Sequence, residues 1–477
     1  MLLRASVVAL AVSVSTGAPQ AAVHLRTEYL TDPSIVATPS PRFSWVLPTA
    51  PSDRGVVQST YQLVVSAARG GAVVWDSGKV ASAAQNQVAY AGAALAADNE
   101  YSWTVTWWDG AGAAAPASAP AFFGTAPGDD AAWDASGSQW IGCTGVAGAN
   151  ANMLRVDFTA EPPAAGVTVV QARLYATGLG WMLPFMNGMR LSEAVLDPAF
   201  TNLRVRALYN AYDVTRMLDT SARGNTFAAY LGHGWPEIFA PWGGNDGVGE
   251  PPWNGTGSSV LTRVNRSELM RMTQDEMELK IKQGYGHGHT GYERRLRLWL
   301  SVRWSDGSVT NVVSSASGMG RRRLGEAPSG WQCGSGPLLS DDLYGGCHYD
   351  ARLETPGWTA PGFDYSTGVW ADAVRIAAPG GIMSPAVSPP VTVVNELAPC
   401  AMWESSPGAY VFASIGLQSA AYSELFPNPI PNSHCALNLA QDMCQNFAGV
   451  TRLTLPGPTQ AGVTITMRHA ESIMHPP

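Results

Sequence analysis

The sequence predicts an all-β fold of tandem β-sandwiches, on three observations. Glycine (50) and proline (34) are abundant and spread along all 477 residues, which favours many short strands and turns over long helices or a disordered tail. Short runs alternate apolar and polar residues with the period of two that a half-buried strand requires, as in Tyr61-Gln-Leu-Val-Val-Ser-Ala67 and Tyr101-Ser-Trp-Thr-Val-Thr-Trp107. No stretch carries the sustained 3.6-residue periodicity of a helical domain.

The length suits about three domains, and 46% hydrophobic residues allow a sizeable core. A net charge of −8 gives no support to nucleic acid or an anionic membrane as partner. After the leader no run reaches the ~18 apolar residues of a membrane-spanning helix. Residues 1–22 read as an export signal: Arg4 supplies the positive charge, residues 7–14 the apolar stretch, and Ala21 or Ala22 the cleavage point. The expected destination is the secretory pathway; the alternative is a buried first strand. Six cysteines then suggest disulfides, with Cys333–Cys347 and Cys435–Cys444 the favoured local pairs among 15 connectivities. Asn254-Gly-Thr256 and Asn265-Arg-Ser267 are glycosylation sequons.

Residues 23–127 form the first expected sandwich, with Trp45, Trp75 and Trp103 as one core anchor per strand. Thr125-Ala-Pro-Gly-Asp-Asp-Ala131 is turn-rich and reads as a linker. Residues 132–385 hold a larger β-domain. Its strand at Val167-Thr-Val-Val-Gln-Ala-Arg-Leu-Tyr175 is followed by a hairpin turn at Asn187-Gly188. Leu296-Arg-Leu-Trp-Leu-Ser-Val-Arg-Trp304 alternates and leads into Asp306-Gly307. Residues 267–282 are charged and read as a surface helix or flexible insert, and Arg321-Arg-Arg323 as a solvated loop. Residues 386–477 begin a third β-domain, with strands expected at Pro389-Pro-Val-Thr-Val-Val394 and Gly462-Val-Thr-Ile-Thr-Met467.

Three ordered stretches resemble the amino-terminal, non-catalytic region of bacterial-type alpha-L-rhamnosidases. The first runs through Pro41-Arg-Phe-Ser-Trp45, Tyr61-Gln-Leu-Val-Val65 and Val74-Trp-Asp-Ser-Gly-Lys-Val80. The second holds Ala176-Thr-Gly-Leu-Gly180, Leu196-Asp-Pro198, Tyr212-Asp-Val-Thr215, Leu231-Gly-His-Gly-Trp235, Tyr349-Asp-Ala-Arg352 and Gly357-Trp358. The third pairs Gln445-Asn-Phe-Ala-Gly449 with Met467-Arg-His-Ala-Glu471. The resemblance implies a fibronectin type III-like domain at 23–127, a jelly-roll domain at 132–385, and at 386–477 part of the β-domain that precedes a helical catalytic barrel. In that family the barrel supplies the general acid and base that remove terminal non-reducing alpha-L-rhamnose with inversion. Such a pair of carboxyls stands roughly 6.5–9.5 Å apart. The barrel is expected beyond residue 477, so no catalytic residue is expected here and the chain is expected to be inactive alone. Residues 413–443 interrupt the family pattern and read as a surface-loop insertion.

The carboxylates that stand close together are Asp341 with Asp342, and Asp350 with Glu354. Asp350 beside Arg352 suggests either a buried ion pair or a sugar groove, against a structural or surface pairing; Glu471 reads as structural. The resemblance also implies that the jelly roll contacts a rhamnose-containing glycoside or polysaccharide. Asp197, Asn202, His233 and Trp235 are the candidate sugar contacts, and Asp246, next to Asn245, the candidate ligand of a calcium ion. His233 departs from the pattern, because relatives often carry Asn or Asp there and calcium prefers oxygen. The alternative is a purely structural brace with Trp235 in its core. His287-Gly-His289 reads as a metal pair or, more simply, a flexible loop. No serine-hydrolase elbow, redox Cys pair, phosphate loop or zinc-protease motif is present in the sequence. Two function classes therefore stand: part of a glycoside hydrolase, or a secreted carbohydrate-binding or scaffold protein.

Overall fold

The computed structural model describes residues 18–49, 51, 55–67, 71–143, 152–203, 205–234, 294–316, 330–342, 346–397, 401–406, 409–413, 439–442, 449, 450 and 452. They divide into two compact units, Met1–Val391 and Thr392–Pro477. The architecture is all-β, as the alternation implies.

The leading sandwich opens the first unit. Strands β1 (Val23–Thr27), β2 (Arg42–Val46) and β5 (Val88–Ala89) make one sheet. Strands β3 (Gln58–Ala67), β4 (Val73–Asp76), β6 (Glu100–Asp109) and β7 (Ala121–Gly124) make the other, in the order β4-β3-β6-β7. Antiparallel β3 and β6 set Leu63 opposite Val105 and Val65 opposite Trp103. Alternation then sends all four inward, where they meet Phe43 and Trp45. The Trp45 indole N–H donates to Gln58 Oε1 at 3.0 Å and that of Trp103 to Thr27 Oγ1 at 3.0 Å, so neither ring buries an unmet donor. Trp75 sits on edge strand β4 and packs against this core only partly buried.

The expected linker ends in a helix start. Asp129 accepts the Ala132 N–H and caps α1 (Asp130–Ala135), whose Trp133 is fully buried. Two sheets follow. Their strands are β8 (Ile141–Gly142), β9 (Met153–Phe158), β10 (Val169–Leu179), β11 (Trp181–Met186), β12 (Met189–Arg190), β13 (Arg206–Asp213) and β14 (Asn225–Gly232). After them come β15 (Arg295–Trp304), β16 (Val309–Val313), β17 (Gln332–Ser335), β18 (Leu338–Asp342), β19 (Gly346–Tyr349), β20 (Val369–Asp372), β21 (Val374–Arg375) and β22 (Ile382–Pro385). One sheet runs β21-β8-β15-β10-β13-β22 with β16 also on β15, the other β12-β11-β14-β9-β17-β20, and β18 pairs with β19. Leu296, Leu298, Leu300 and Val302 of β15 point between the sheets, toward Phe227, Leu231 and Trp331. Each such side chain contributes about 1.5–3 kcal/mol by burial.

A disulfide ties the two sheets. Cys143 follows β8, Cys333 lies on β17, and their Cα atoms are 5.5 Å apart. The local pair expected for Cys333 is therefore wrong. Alternation turns Cys333 into the core, whereas Cys347 is a free, exposed thiol on β19. Cys435 and Cys444 lie outside the described residues. The strand expected at 389–394 is also absent. Pro389 and Pro390 offer no N–H to a ladder, and Val391, Val393 and Val394 are left exposed.

The outer face of the second sheet is locked by one arginine. Arg155 of β9 is fully buried. It donates to Trp358 O at 2.8 Å, to Asp157 Oδ1 at 2.5 Å and, at 3.4 Å each, to Thr226 Oγ1 and Ala360 O. Its guanidinium stands 4.8 Å from the centroids of both Phe363 and Tyr365. This pins the segment after the 3-10 turn Ala351–Leu353 across the sheet.

The outer faces of β10 and β15 meet the leading sandwich through polar groups. Asp98 accepts from Tyr175 Oη at 2.6 Å and Ser301 Oγ at 2.7 Å, and lies 3.9 Å from Arg173 and 3.8 Å from Arg303. Arg173, almost fully buried, donates to the carbonyls of Thr125, Asn99 and Ser34. Gly124 makes room for it: a Cβ there would lie 2.2 Å from Arg173 Nη2. Burial raises the Tyr175 hydroxyl pKa, which keeps it a neutral donor to Asp98.

In the second unit, β23 (Ala401–Ser406) pairs antiparallel with β24 (Ala409–Ala413) and β25 (Leu439–Asp442), and β24 and β25 are parallel. The strand expected at 462–467, the charged segment 267–282, the arginine run 321–323, residues 1–17, both sequons and Glu471 lie outside the described residues.

Candidate functional site

One rim of the jelly-roll-like sandwich gathers candidate residues. The chain crosses between sheets at Gly180, whose φ is +103°. A Cβ there would lie 1.9 Å from Gly232 O, so the crossing requires glycine. Gly232 is as tight: a Cβ would lie 1.8 Å from Trp181 Cε2. The Trp181 indole therefore rests on the β14 backbone, and its Nε1 donates to Asp341 Oδ2 at 3.0 Å.

Asp341 is the centre of the rim, with its side chain 8% exposed. The His233 backbone N–H donates to its Oδ2 at 2.7 Å. Arg294 Nη2 lies 3.2 Å from Oδ1 and 3.0 Å from His233 Nδ1, which is itself 3.1 Å from Oδ1. Burial acts to raise the Asp341 pKa, but the hydrogen bond and charge of His233 and the charge of Arg294 outweigh it and hold the carboxyl below its ordinary value. Among the close carboxylates, Asp341 is thus an ionised, internally satisfied anchor. It is poorly suited to activate a water, since both oxygens are occupied.

Asp197 lies on the same edge. Its carbonyl accepts from Met182 N at 2.7 Å, and its carboxyl from the Asn210 side-chain amide. Burial pushes this carboxyl up to about 6, against a lowering by the Asn210 bond. Tyr212 is raised by its own burial and then by the Asp197 charge. The sign follows directly: a carboxyl that ionises at higher pH when folded makes the fold lose stability as pH rises from about 4 through about 6. Asp197→Asn should therefore be more stable than the parent at pH 7.5, by about 2 kcal/mol, and equal to it near pH 4. Urea midpoints at the two pH values check this; a deficit at pH 7.5 refutes it.

Of the other candidate sugar and calcium contacts, Asn202 lies within the described residues. Asn202 is exposed, and its carbonyl accepts the N–H groups of Val205 and Arg206 at 2.9 Å each, in the turn before β13. Trp235, Asn245, Asp246, His287 and His289 lie outside the described residues. The buried ion pair weighed for Asp350 is in fact at the surface. Asp350 caps the 3-10 turn and binds Arg352, whose side chain is 73% exposed, and these bonds bring its pKa to about 2. Asp341 is already bonded by Trp181, His233 and Arg294. Among the described residues no group of three His, Cys, Asp or Glu could hold a metal ion. Sequence reasoning missed Trp181 and Arg294. The paired glycines at 180 and 232 were the available signal for a close crossing, but only the register of β11 with β14 shows what crosses.

Two sandwiches joined by a buried polar seam place the chain in a class of modular, all-β, multidomain proteins. A Rha78A-like, N-terminal immunoglobulin domain model matches residues 22–129, and the alpha-L-rhamnosidase N-terminal domain model matches residues 167–249 and 273–395. An alpha-L-rhamnosidase of Streptomyces avermitilis is 28% identical over 321 residues, covering 67% of this chain and 22% of that protein. The solved alpha-L-rhamnosidase from Dictyoglumus thermophilum shares 26% identity at a TM-score of 0.58, over 81% of this chain and 38% of that one. The Streptomyces avermitilis enzyme solved in complex with L-rhamnose has the same fold, with a TM-score of 0.57 at 21% identity, over 81% of this chain and 48% of that one. The chain is related to the alpha-L-rhamnosidases and carries two of their amino-terminal domains. It spans about a fifth to two fifths of the length of the curated relatives it matches.

Proposed function

We propose that this chain is the amino-terminal, non-hydrolytic brace of a secreted alpha-L-rhamnosidase, whose whole protein removes terminal non-reducing alpha-L-rhamnose by inversion. The observation that carries this is the order of the two matched domains, leading immunoglobulin-like and then rhamnosidase N-terminal, along one chain. The electrostatics of the described rim agree: Asp341 is consumed in holding the sheet crossing. The export signal at 1–22, glycans on Asn254 and Asn265, and a rhamnose-containing glycoside as partner belong to this proposal. The purified chain incubated with an aryl alpha-L-rhamnoside should show no turnover above buffer. Clear release of the aryl group refutes the non-hydrolytic assignment.

The second reading is a secreted carbohydrate-binding or scaffold protein without catalysis. It is favoured by the rim, where Asp197 and His233 flank Trp181 and Met182. Asn202, Trp235 and, with calcium, Asp246 complete that proposal. Calorimetry with L-rhamnose, with and without calcium, separates the readings: absence of heat in both removes the sugar-binding form.

A further inference from the structure

A concave site lies away from this rim, where α1 meets the edge of the larger sheet. It is an open cleft of about 360 Å³, lined among others by Asp134, Ser138, Gln139, Trp140, Arg297 and Arg375. That volume is at the small end for ligand sites, the size of a single sugar ring rather than an oligomer.

Its chemistry is specific. Arg297 is buried against the Trp133 ring, with its guanidinium carbon 5.4 Å from the ring centroid. It donates to Ser138 Oγ at 2.9 Å, to Ser138 O at 3.2 Å and to Asp134 at 2.7 Å. Asp134 therefore balances Arg297, although its own side chain is 74% exposed. Arg375 is different. It is an exposed residue on edge strand β21, opposite Ile141 of β8, and among the described residues it forms no ion pair. Among the described lining residues two arginines stand against one exposed carboxylate, an excess of positive charge in a chain whose net charge is −8. Trp140, nearly buried, gives an apolar wall, and Ser138 and Gln139 offer polar groups at the scale of sugar hydroxyls.

We propose that this cleft binds a carboxylate-bearing monosaccharide, with Arg375 gripping the carboxylate and Trp140, Ser138 and Gln139 meeting the ring. The planar fork of an arginine matches a carboxylate with two parallel hydrogen bonds, which selects an acid over a neutral sugar. The sugar part rests on the carbohydrate reading above; the carboxylate part rests on the cleft alone.

Calorimetry on the full chain tests it with D-glucuronate, D-glucose and acetate, which present ring plus carboxylate, ring alone and carboxylate alone. Glucuronate should bind with a Kd on the order of 1 mM, and glucose and acetate each about tenfold more weakly. Arg375→Gln should weaken glucuronate about tenfold with an unchanged Tm, since the side chain is exposed at a sheet edge. Asp134→Asn, which removes the competing carboxylate, should tighten it. Absence of glucuronate binding, equal binding of glucose, or full affinity in Arg375→Gln overturns the proposal. Failure of L-rhamnose to bind at the other rim bears on that rim and leaves this cleft untouched.

Discussion

Replacing Cys143 and Cys333 together by alanine should lower the stability of the first unit by about 2–5 kcal/mol, read as a fall in urea midpoint under oxidising conditions. The bond closes a loop with a sequence separation of 190 residues. On the chain-entropy account, opening such a loop restores about 5 kcal/mol of freedom to the unfolded chain. The loss also has a native-state part, because Cys333 is fully buried in the shared core and alanine leaves its sulfur volume unfilled. The parent protein treated with reductant should show most of the same loss, which separates the cross-link from the packing. Equal midpoints for the variant and the oxidised parent would mean that the sheets hold without it.

Arg155→Leu should cost a similar amount, about 3–5 kcal/mol, although it replaces a polar group by an apolar one of comparable length. The carbonyls of Trp358 and Ala360 lose their donor, and an unpaired buried acceptor carries its full desolvation penalty. Phe363 and Tyr365 lose the cation that lies over both rings. The effect is directional: the segment 351–368 should become the first site of proteolytic cutting, ahead of global unfolding. A thermal melt and a timed protease digest read both parts. A variant that melts within about 1 °C of the parent and resists digestion would show that the segment is held by its aromatic residues alone.

Much of the fold was legible because sheet formation writes itself locally. Strands β3, β6 and β15 were recognisable from period two. The hairpin at Asn187-Gly188 was recognisable from its turn residues, which take φ of +51° and +84°. What was not legible depends on neighbours distant in sequence. The partner of Cys333 is set by which strands face each other across the sandwich, so nearness in sequence to Cys347 misled. Helix α1 has six residues, too few to show a helical period, and its signal was only the cap at Asp129. The run at 389–394 has strand composition, but two prolines remove the donors that pairing requires. Asp341 was noticed as an acid, yet its role comes from Arg294 and His233, 47 and 108 residues away in sequence.

The seam around Asp98 changes how force and motion pass through the first unit. A composition-based boundary falls at residues 125–131, yet the Thr125 carbonyl is itself gripped by Arg173. The leading sandwich is accordingly mounted like a buttress, not strung like a bead: a pull on its outer end is delivered through Arg173, Tyr175, Ser301 and Arg303 into the two central strands of the larger sheet. Cutting the chain at that boundary would uncover a charged socket whose counter-ion left with the other half.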